Sequence, residues 1–117
     1  IDLIVGHHAH VLQPIEQVNG VWVVYGLGNM ISNMPTGPYP PESQDGAVAV
    51  VDITIAPGGA NVAPPVIHPT WVDRDNGWTV YLVQPALADP ALDPWLRERM
   101  ETSLRRTEGV LGEFIAG

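Results

Sequence analysis

The order of apolar and polar positions in the first quarter of the chain predicts short strands. Residues 3–5 form a continuous apolar run that ends at Gly6, which is typical of a strand buried on both faces of an α/β sheet. Residues 15–18 and 21–25 flank Asn19-Gly20, a dipeptide that favours a type I′ turn. These two segments therefore predict an antiparallel hairpin.

The middle of the chain predicts further hairpins around a long loop. Prolines 35, 38, 40 and 41 indicate that residues 32–45 form a surface loop. Residues 46–56 place apolar side chains at every odd position from 47 to 55, as expected of a half-buried strand. A return strand is expected after the turn at residues 57–59, and Pro64-Pro65 interrupts it. Residues 70–74 and 78–83 predict a third hairpin around residues 75–77.

The C-terminal segment has the pattern of one amphipathic helix. Asp93-Pro94 combines an N-cap carboxylate with proline at the first helical position. One face is apolar, and the glycines at 109 and 112 weaken the end of the helix. The stripe, which we expect to be a packing surface, consists of Leu96, Met100, Leu104, Leu111 and Ile115.

Composition and charge limit the possible functions. The 117 residues suit a single domain, and a formal net charge of −8 argues against nucleic acid and anionic membranes as partners. The chain has no cysteine, so a metal site must use histidine, carboxylate or water. No apolar run is long enough for a spanning helix and no signal-peptide pattern is present, which predicts a soluble piece. Because the chain opens on Ile1 within an interior-type strand, we expect that an N-terminal portion is missing.

The densest polar cluster follows the first predicted strand. His7, His8 and His10 lie within four residues, and loops beyond strand ends commonly carry ligand sites in α/β sheets. A His-X-His pair can direct two imidazoles toward one metal ion, but two rings are too few for a stable site. The same residues could instead form a strand-end cluster that bonds to backbone. His68, alone before a proline, receives no role.

Two motifs carry a family resemblance. Residues 2–13, Asp-Leu-Ile-Val-Gly-His-His-Ala-His-Val-Leu-Gln, and residues 25–29, Tyr-Gly-Leu-Gly-Asn, resemble the C-terminal half of the capsule-synthesis CapA family, which includes poly-γ-glutamate biosynthesis proteins. Residues 69–74 are similar to a segment of some members. Ala9, Gly26 and Met30 depart from the usual proline, serine and phenylalanine, and the upstream aspartate, asparagine and histidine motifs have no counterpart here.

The resemblance implies a metal-dependent, phosphoesterase-type site, although it identifies no catalytic residue in this chain. His8 and His10 take the place of the last metal-binding motif, while His7 and Asn29 would support a ligand or bind substrate. Asn29 could instead cap the turn that follows it. The implied cofactor is a dinuclear manganese, iron or zinc centre completed by residues upstream. The implied partners are an anionic polymer or phosphoester substrate and membrane-bound synthase subunits, at the cell surface or membrane. The isolated piece is expected to be inactive.

The fold class expected from pattern and resemblance together is α/β. It would be the C-terminal portion of an αββα sandwich similar to calcineurin-like metallophosphoesterases, with mainly antiparallel strands and one C-terminal helix. Residues 1–88 would belong to that domain, and residues 89–117 would form the helix packed on it. Two alternatives stay open: a non-catalytic assembly or polymer-binding subunit on the same fold, and a self-contained β-rich interaction domain.

Overall fold

The computed structural model describes all residues from 1 to 117. Eight strands and two α-helices follow one another along the chain: β1 Leu3–Val5, β2 Ile15–Val18, β3 Val21–Val24, β4 Asp45–Val50, β5 Ile53–Ala56, β6 Gly59–Val62, β7 Val66–Asp73, β8 Thr79–Leu82, α1 Val83–Ala88 and α2 Pro94–Leu111. Short 3₁₀ turns at Pro41–Gln44 and Gly112–Phe114 precede β4 and follow α2.

The first sheet has the strand order β1-β3-β2. The pairing of β2 with β3 is antiparallel, with Val18 opposite Val21, which confirms the predicted hairpin. Asn19 and Gly20 have φ angles of 49° and 80°, as a type I′ turn requires. The pairing of β1 with β3 is parallel. The histidine-rich loop therefore leaves the sheet at the same end as the C-terminus of β3.

The prediction that residues 3–5 are buried on both faces is wrong in this structure. β1 is an edge strand whose one neighbour is β3. Its Ile4 and Val5 are 43% and 49% exposed. An apolar run indicates which residues can be buried. Whether they are buried depends on which elements cover them, and these 117 residues supply no covering element over β1.

The second sheet has the order β4-β7-β8, with both pairings antiparallel. The predicted third hairpin is confirmed, although β7 begins at Val66 and so includes Pro69 in a central strand. Ala47 of β4 lies opposite Pro69, but its N–H donates to the Leu27 carbonyl at 3.0 Å, away from β7. On the other side of β7, the pairing with β8 ends at Thr70 and Leu82, so Pro69 has no partner residue in β8. The missing N–H of Pro69 therefore breaks no pairing.

The predicted strand over residues 46–56 is divided in the structure. Its first half is β4, and its second half is β5, which pairs with β6 as a separate two-stranded ribbon. Ile53 and Ile55 are 51% and 84% exposed, so their expected burial is wrong. Alternation predicted the strand conformation correctly, but the apolar face of the ribbon has no layer of this chain against it. The break before β7 at Pro64-Pro65 is confirmed.

The C-terminal helix begins where its cap signal predicts. The Asp93 carboxylate accepts hydrogen bonds from the backbone N–H groups of Trp95 and Leu96, at 2.9 and 3.3 Å. The helix packs its stripe into two apolar clusters. Leu111 joins one cluster centred on Leu12, Ile15, Val24, Ala47 and Ile67, and Met100 joins the other, centred on Trp71 and Val83. Ile115 lies beyond α2 and forms a bridge with Ile67.

The architecture is thus a mixed α/β fold, mostly antiparallel, with a C-terminal helix. The short helix α1 has no counterpart in the sequence prediction. Neither helix is long and apolar enough to cross a membrane. The division between residues 1–88 and 89–117 stays a prediction.

Candidate functional site

The histidine cluster forms an exposed loop that begins at the end of β1. The N–H of Gly6 donates to the Val24 carbonyl at 2.7 Å, which extends the pairing of β1 with β3 to the start of the loop. The following residues, His7, His8 and His10, are all exposed. The structure therefore places these imidazoles at a sheet end, where solvent and ligands have access to them.

The loop backbone is strained at two of its histidines. His8 and His10 have φ angles of 109° and 62°, a region that residues other than glycine seldom occupy. Residues held in such conformations cost on the order of 1–3 kcal/mol each and persist when their surroundings fix them. Two strained residues on either side of Ala9 indicate that specific contacts hold this loop.

The rings of His8 and His10 lie near each other. Their centroids are 6.5 Å apart, and their planes are inclined at 43°. Two imidazoles bound to one tetrahedral ion through metal–nitrogen bonds of about 2.1 Å would have centroids roughly 5 Å apart. The observed separation is wider, so the two rings would have to move closer to share one ion. No third histidine, aspartate or glutamate joins them in a group that could hold a metal ion.

Asn29 connects the histidine loop to the segment after β3. Its Oδ1 lies 2.9 Å from Nδ1 of His10. Its Nδ2 donates to the main-chain carbonyls of His10 at 3.1 Å and Ser43 at 2.8 Å. One amide side chain thus holds the ring and the backbone of His10. Of the two residues expected to support a ligand or bind substrate, Asn29 contacts a histidine side chain, whereas His7 makes no side-chain hydrogen bond.

The backbone of Asn29 is held in turn by the start of β4. Its N–H donates to the Asp45 carbonyl at 3.1 Å, and Gly28 forms a bridge with Gly46. Both glycines are required by this close approach. A Cβ on Gly28, where φ is 68°, would lie 2.3 Å from the Asp45 carbonyl oxygen, and one on Gly46 would lie 2.4 Å from the Asn29 oxygen. The two glycines therefore fix where Asn29 meets the histidine loop.

A buried ion pair anchors this junction to helix α2. The Asp45 carboxylate accepts hydrogen bonds from Nε and Nη2 of Arg106 at 2.7 and 2.8 Å, and from Oγ of Ser103 at 2.6 Å. The side chain of Asp45 is 3% exposed. These contacts join residues 58 and 61 positions apart, so no local sequence pattern could have indicated them.

Burial sets the electrostatics of the pair. Desolvation raises the pKa of the Asp45 carboxyl above its ordinary value, against the lowering effects of the hydrogen bonds from Arg106 and Ser103. The hydrogen bond to Asp45 in turn raises the pKa of Arg106. We take the pair as charged at neutral pH because three short hydrogen bonds converge on the carboxylate. Asp45 is therefore a structural carboxylate, committed to the helix.

Other polar residues in and beside the two sheets do not complete a metal site. The Tyr25 hydroxyl donates to the Glu16 carboxylate, and this hydrogen bond is the main cause of a raised pKa at Tyr25. His68 lies within β7, opposite Val48, and its ring forms no side-chain hydrogen bond. Neither Glu16 nor His68 joins His8 and His10 in a metal-binding group.

Comparison with known proteins gives one family model and one curated relative, each covering about a quarter of the chain. The model of the family described as bacterial capsule synthesis protein PGA_cap matches residues 1–34. The PGA biosynthesis protein CapA of Bacillus subtilis (strain 168) is 60% identical over 30 residues, which are 26% of this chain and 8% of that protein. No solved structure matches the chain. These findings confirm the resemblance to CapA-like capsule synthesis proteins.

Proposed function

We propose that the chain is part of a CapA-like protein of capsule or poly-γ-glutamate biosynthesis, and that His8 and His10 contribute to a divalent metal site. The observation that carries the proposal is the 6.5 Å separation of the two exposed rings in a strained loop. The family match covers residues 1–34 and so includes both histidines and Asn29. The proposed fold of the whole protein is the αββα sandwich of metallophosphoesterases.

The residues of this chain fit part of such a site. Neutral imidazoles suit manganese, iron or zinc, and the two rings provide two donors. The proposal therefore requires further metal donors from outside these 117 residues. In the form that the resemblance implies, the complete centre would be dinuclear. When bound, such a centre activates water and clamps the oxygens of a phosphoester.

The chain's own residues would position the reactants. His8 and His10 would hold the ion, and Asn29 would keep His10 in place through its ring and its carbonyl. His7, exposed beside them, would be available to a phosphoester or an anionic polymer. The net charge of −8 disfavours an anionic polymer elsewhere on the surface, so the metal site is where such a substrate would bind. The proposed location is the cell surface or the membrane, beside synthase subunits.

A second candidate is a non-catalytic assembly subunit on the same fold. The observation in its favour is an apolar patch on one face of the first sheet. On that face Ile4 is 43% exposed, and Val18 and Tyr25 are each 41% exposed. Contiguous exposed apolar surface commonly marks a protein interface. In this alternative the histidine loop would need no ion.

Zinc titration by calorimetry tests the metal site. We expect the 117-residue chain to bind Zn²⁺ weakly, and the His8→Ala/His10→Ala variant to bind at least about tenfold more weakly. The His68→Ala variant is the matched control, because it removes an imidazole from the second sheet and should leave binding unchanged. Equal binding by the double variant and the parent chain would overturn the metal site and leave the assembly candidate.

Manganese-dependent phosphodiesterase activity tests the chemistry. The assay requires a longer protein that carries these residues together with further metal donors. Loss of activity in its His8→Ala/His10→Ala variant is the expected result. Full activity in that variant would exclude the two histidines as ligands of the reactive centre.

A further inference from the structure

The orientation of the Asn29 amide follows from its surroundings. Two main-chain carbonyls, those of His10 and Ser43, lie 3.1 and 2.8 Å from Nδ2. A carbonyl only accepts hydrogen bonds, so the amide NH₂ must face these two atoms. The opposite orientation would set the amide oxygen against both carbonyl oxygens. The amide oxygen of Asn29 is therefore the atom that faces the His10 ring.

This orientation decides which ring nitrogen of His10 carries the proton. Oδ1 of Asn29 has no hydrogen to give, so Nδ1 of His10 must be the donor across the 2.9 Å contact. A neutral imidazole has one N–H, and with the proton on Nδ1 the lone pair is on Nε2. A neutral histidine free in water prefers the other tautomer, with the proton on Nε2.

We propose that Asn29 is a positioning residue that holds His10 as the Nδ1–H tautomer, so that Nε2 presents its lone pair to a metal ion or a proton. The same amide fixes the His10 carbonyl, and with it the backbone that adopts a φ of 62°. Ring, tautomer and strained main chain thus depend on one side chain. Nδ1 is not available as a ligand while Asn29 is in place.

The remaining histidines provide internal references. The rings of His7, His8 and His68 form no side-chain hydrogen bond, whereas the ring of His10 has Asn29 as its partner. These three rings are therefore expected to show the ordinary Nε2–H tautomer. The inference rests on the proposed function and deepens it by assigning the atom of His10 that would bind a metal ion. The tautomer itself is measured without any metal.

Long-range ¹H–¹⁵N correlation spectra of the ¹⁵N-labelled chain test the proposal. The spectra are recorded at alkaline pH, so that the neutral rings are observed. We expect the Nδ1–H pattern for His10 and the Nε2–H pattern for His7, His8 and His68. An Nε2–H pattern for His10 in the parent chain overturns the proposal, and this comparison needs no variant.

A variant and a control then attribute the effect to Asn29. Asn29→Ala removes the acceptor and should shift His10 to the Nε2–H pattern. Asn33→Ala removes an exposed asparagine from the following loop and should change nothing. An unchanged Nδ1–H pattern in a folded Asn29→Ala variant contradicts the role of Asn29. Failure of zinc binding alone would contradict the proposed function and leave the tautomer assignment standing.

Discussion

Arg106→Ala tests how helix α2 holds the junction beneath the histidine loop. The substitution removes two of the three hydrogen bonds to the Asp45 carboxylate and leaves its charge unpaired, with the side chain 3% exposed. Breaking a buried ion pair from one side costs about 3–5 kcal/mol. With an unfolding entropy of about 0.25 kcal/mol/K for a chain of this length, the expected loss is about 12–20 °C in Tm.

Urea denaturation followed by circular dichroism measures this loss as a free energy of unfolding. Arg105→Ala is the matched control, because Arg105 is exposed on the same helix and its side chain bonds only to Oγ1 of Thr102. We expect the control to change stability by less than about 0.5 kcal/mol. A loss below about 1 kcal/mol in Arg106→Ala would refute the view that the Asp45 charge depends on its arginine partner.

A second substitution separates the cost of the unpaired Asp45 charge from the cost of the lost arginine packing. Asp45→Asn in the Arg106→Ala background removes the unpaired charge, so it should recover most of the lost stability. Acidification should act in the same direction. The folded-state pKa of Asp45 is raised, so the folded state binds a proton on this carboxylate more tightly than the unfolded state does. The stability that Arg106→Ala loses relative to the parent chain should therefore shrink as the pH falls through this pKa. A deficit that grows on acidification would contradict this account.

Three further substitutions follow from local geometry, each measured by thermal unfolding. Gly46→Ala brings a Cβ within 2.4 Å of the Asn29 carbonyl oxygen, so it should cost at least about 1–3 kcal/mol, and an unchanged Tm would contradict the close approach. Asp93→Ala removes the N-cap acceptor of α2 and should cost about 1 kcal/mol, whereas no loss would mean that the cap contributes nothing. Gly109→Ala meets no atom within 4 Å on the exposed face of α2 and should stabilise by about 0.5–1 kcal/mol, so a destabilised variant would contradict the helical conformation there.

The local elements could be predicted because their signals are contained within a few residues. Asn19-Gly20 fixes its hairpin through backbone angles alone, and Asp93-Pro94 marks the first turn of α2. Burial could not be predicted in the same way. Ile4 and Ile55 belong to well-formed strands but have no covering layer, because cover depends on neighbours that are distant in sequence. The same limit explains the division of residues 46–56.

The candidate site shows the same difference between features that are local in sequence and contacts between distant residues. The spacing of His8 and His10 is a local feature, and the sequence could group them. The link between His10 and Asn29 spans 19 residues, and only the family resemblance suggested that Asn29 supports a ligand. The contact of Asn29 with the backbone of Asp45, and the anchoring of Asp45 by Arg106, depend on how a strand and a helix pack. No motif in the chain encodes that packing.

A crystal structure of the chain with zinc, located by anomalous scattering, would show whether His8 and His10 bind one ion. We expect an ion bound by both histidines, with Nε2 of His10 at about 2.0–2.1 Å and Asn29 still bonded to Nδ1. Zinc found only at other side chains, or bound through Nδ1 of His10 with the Asn29 contact broken, would contradict it.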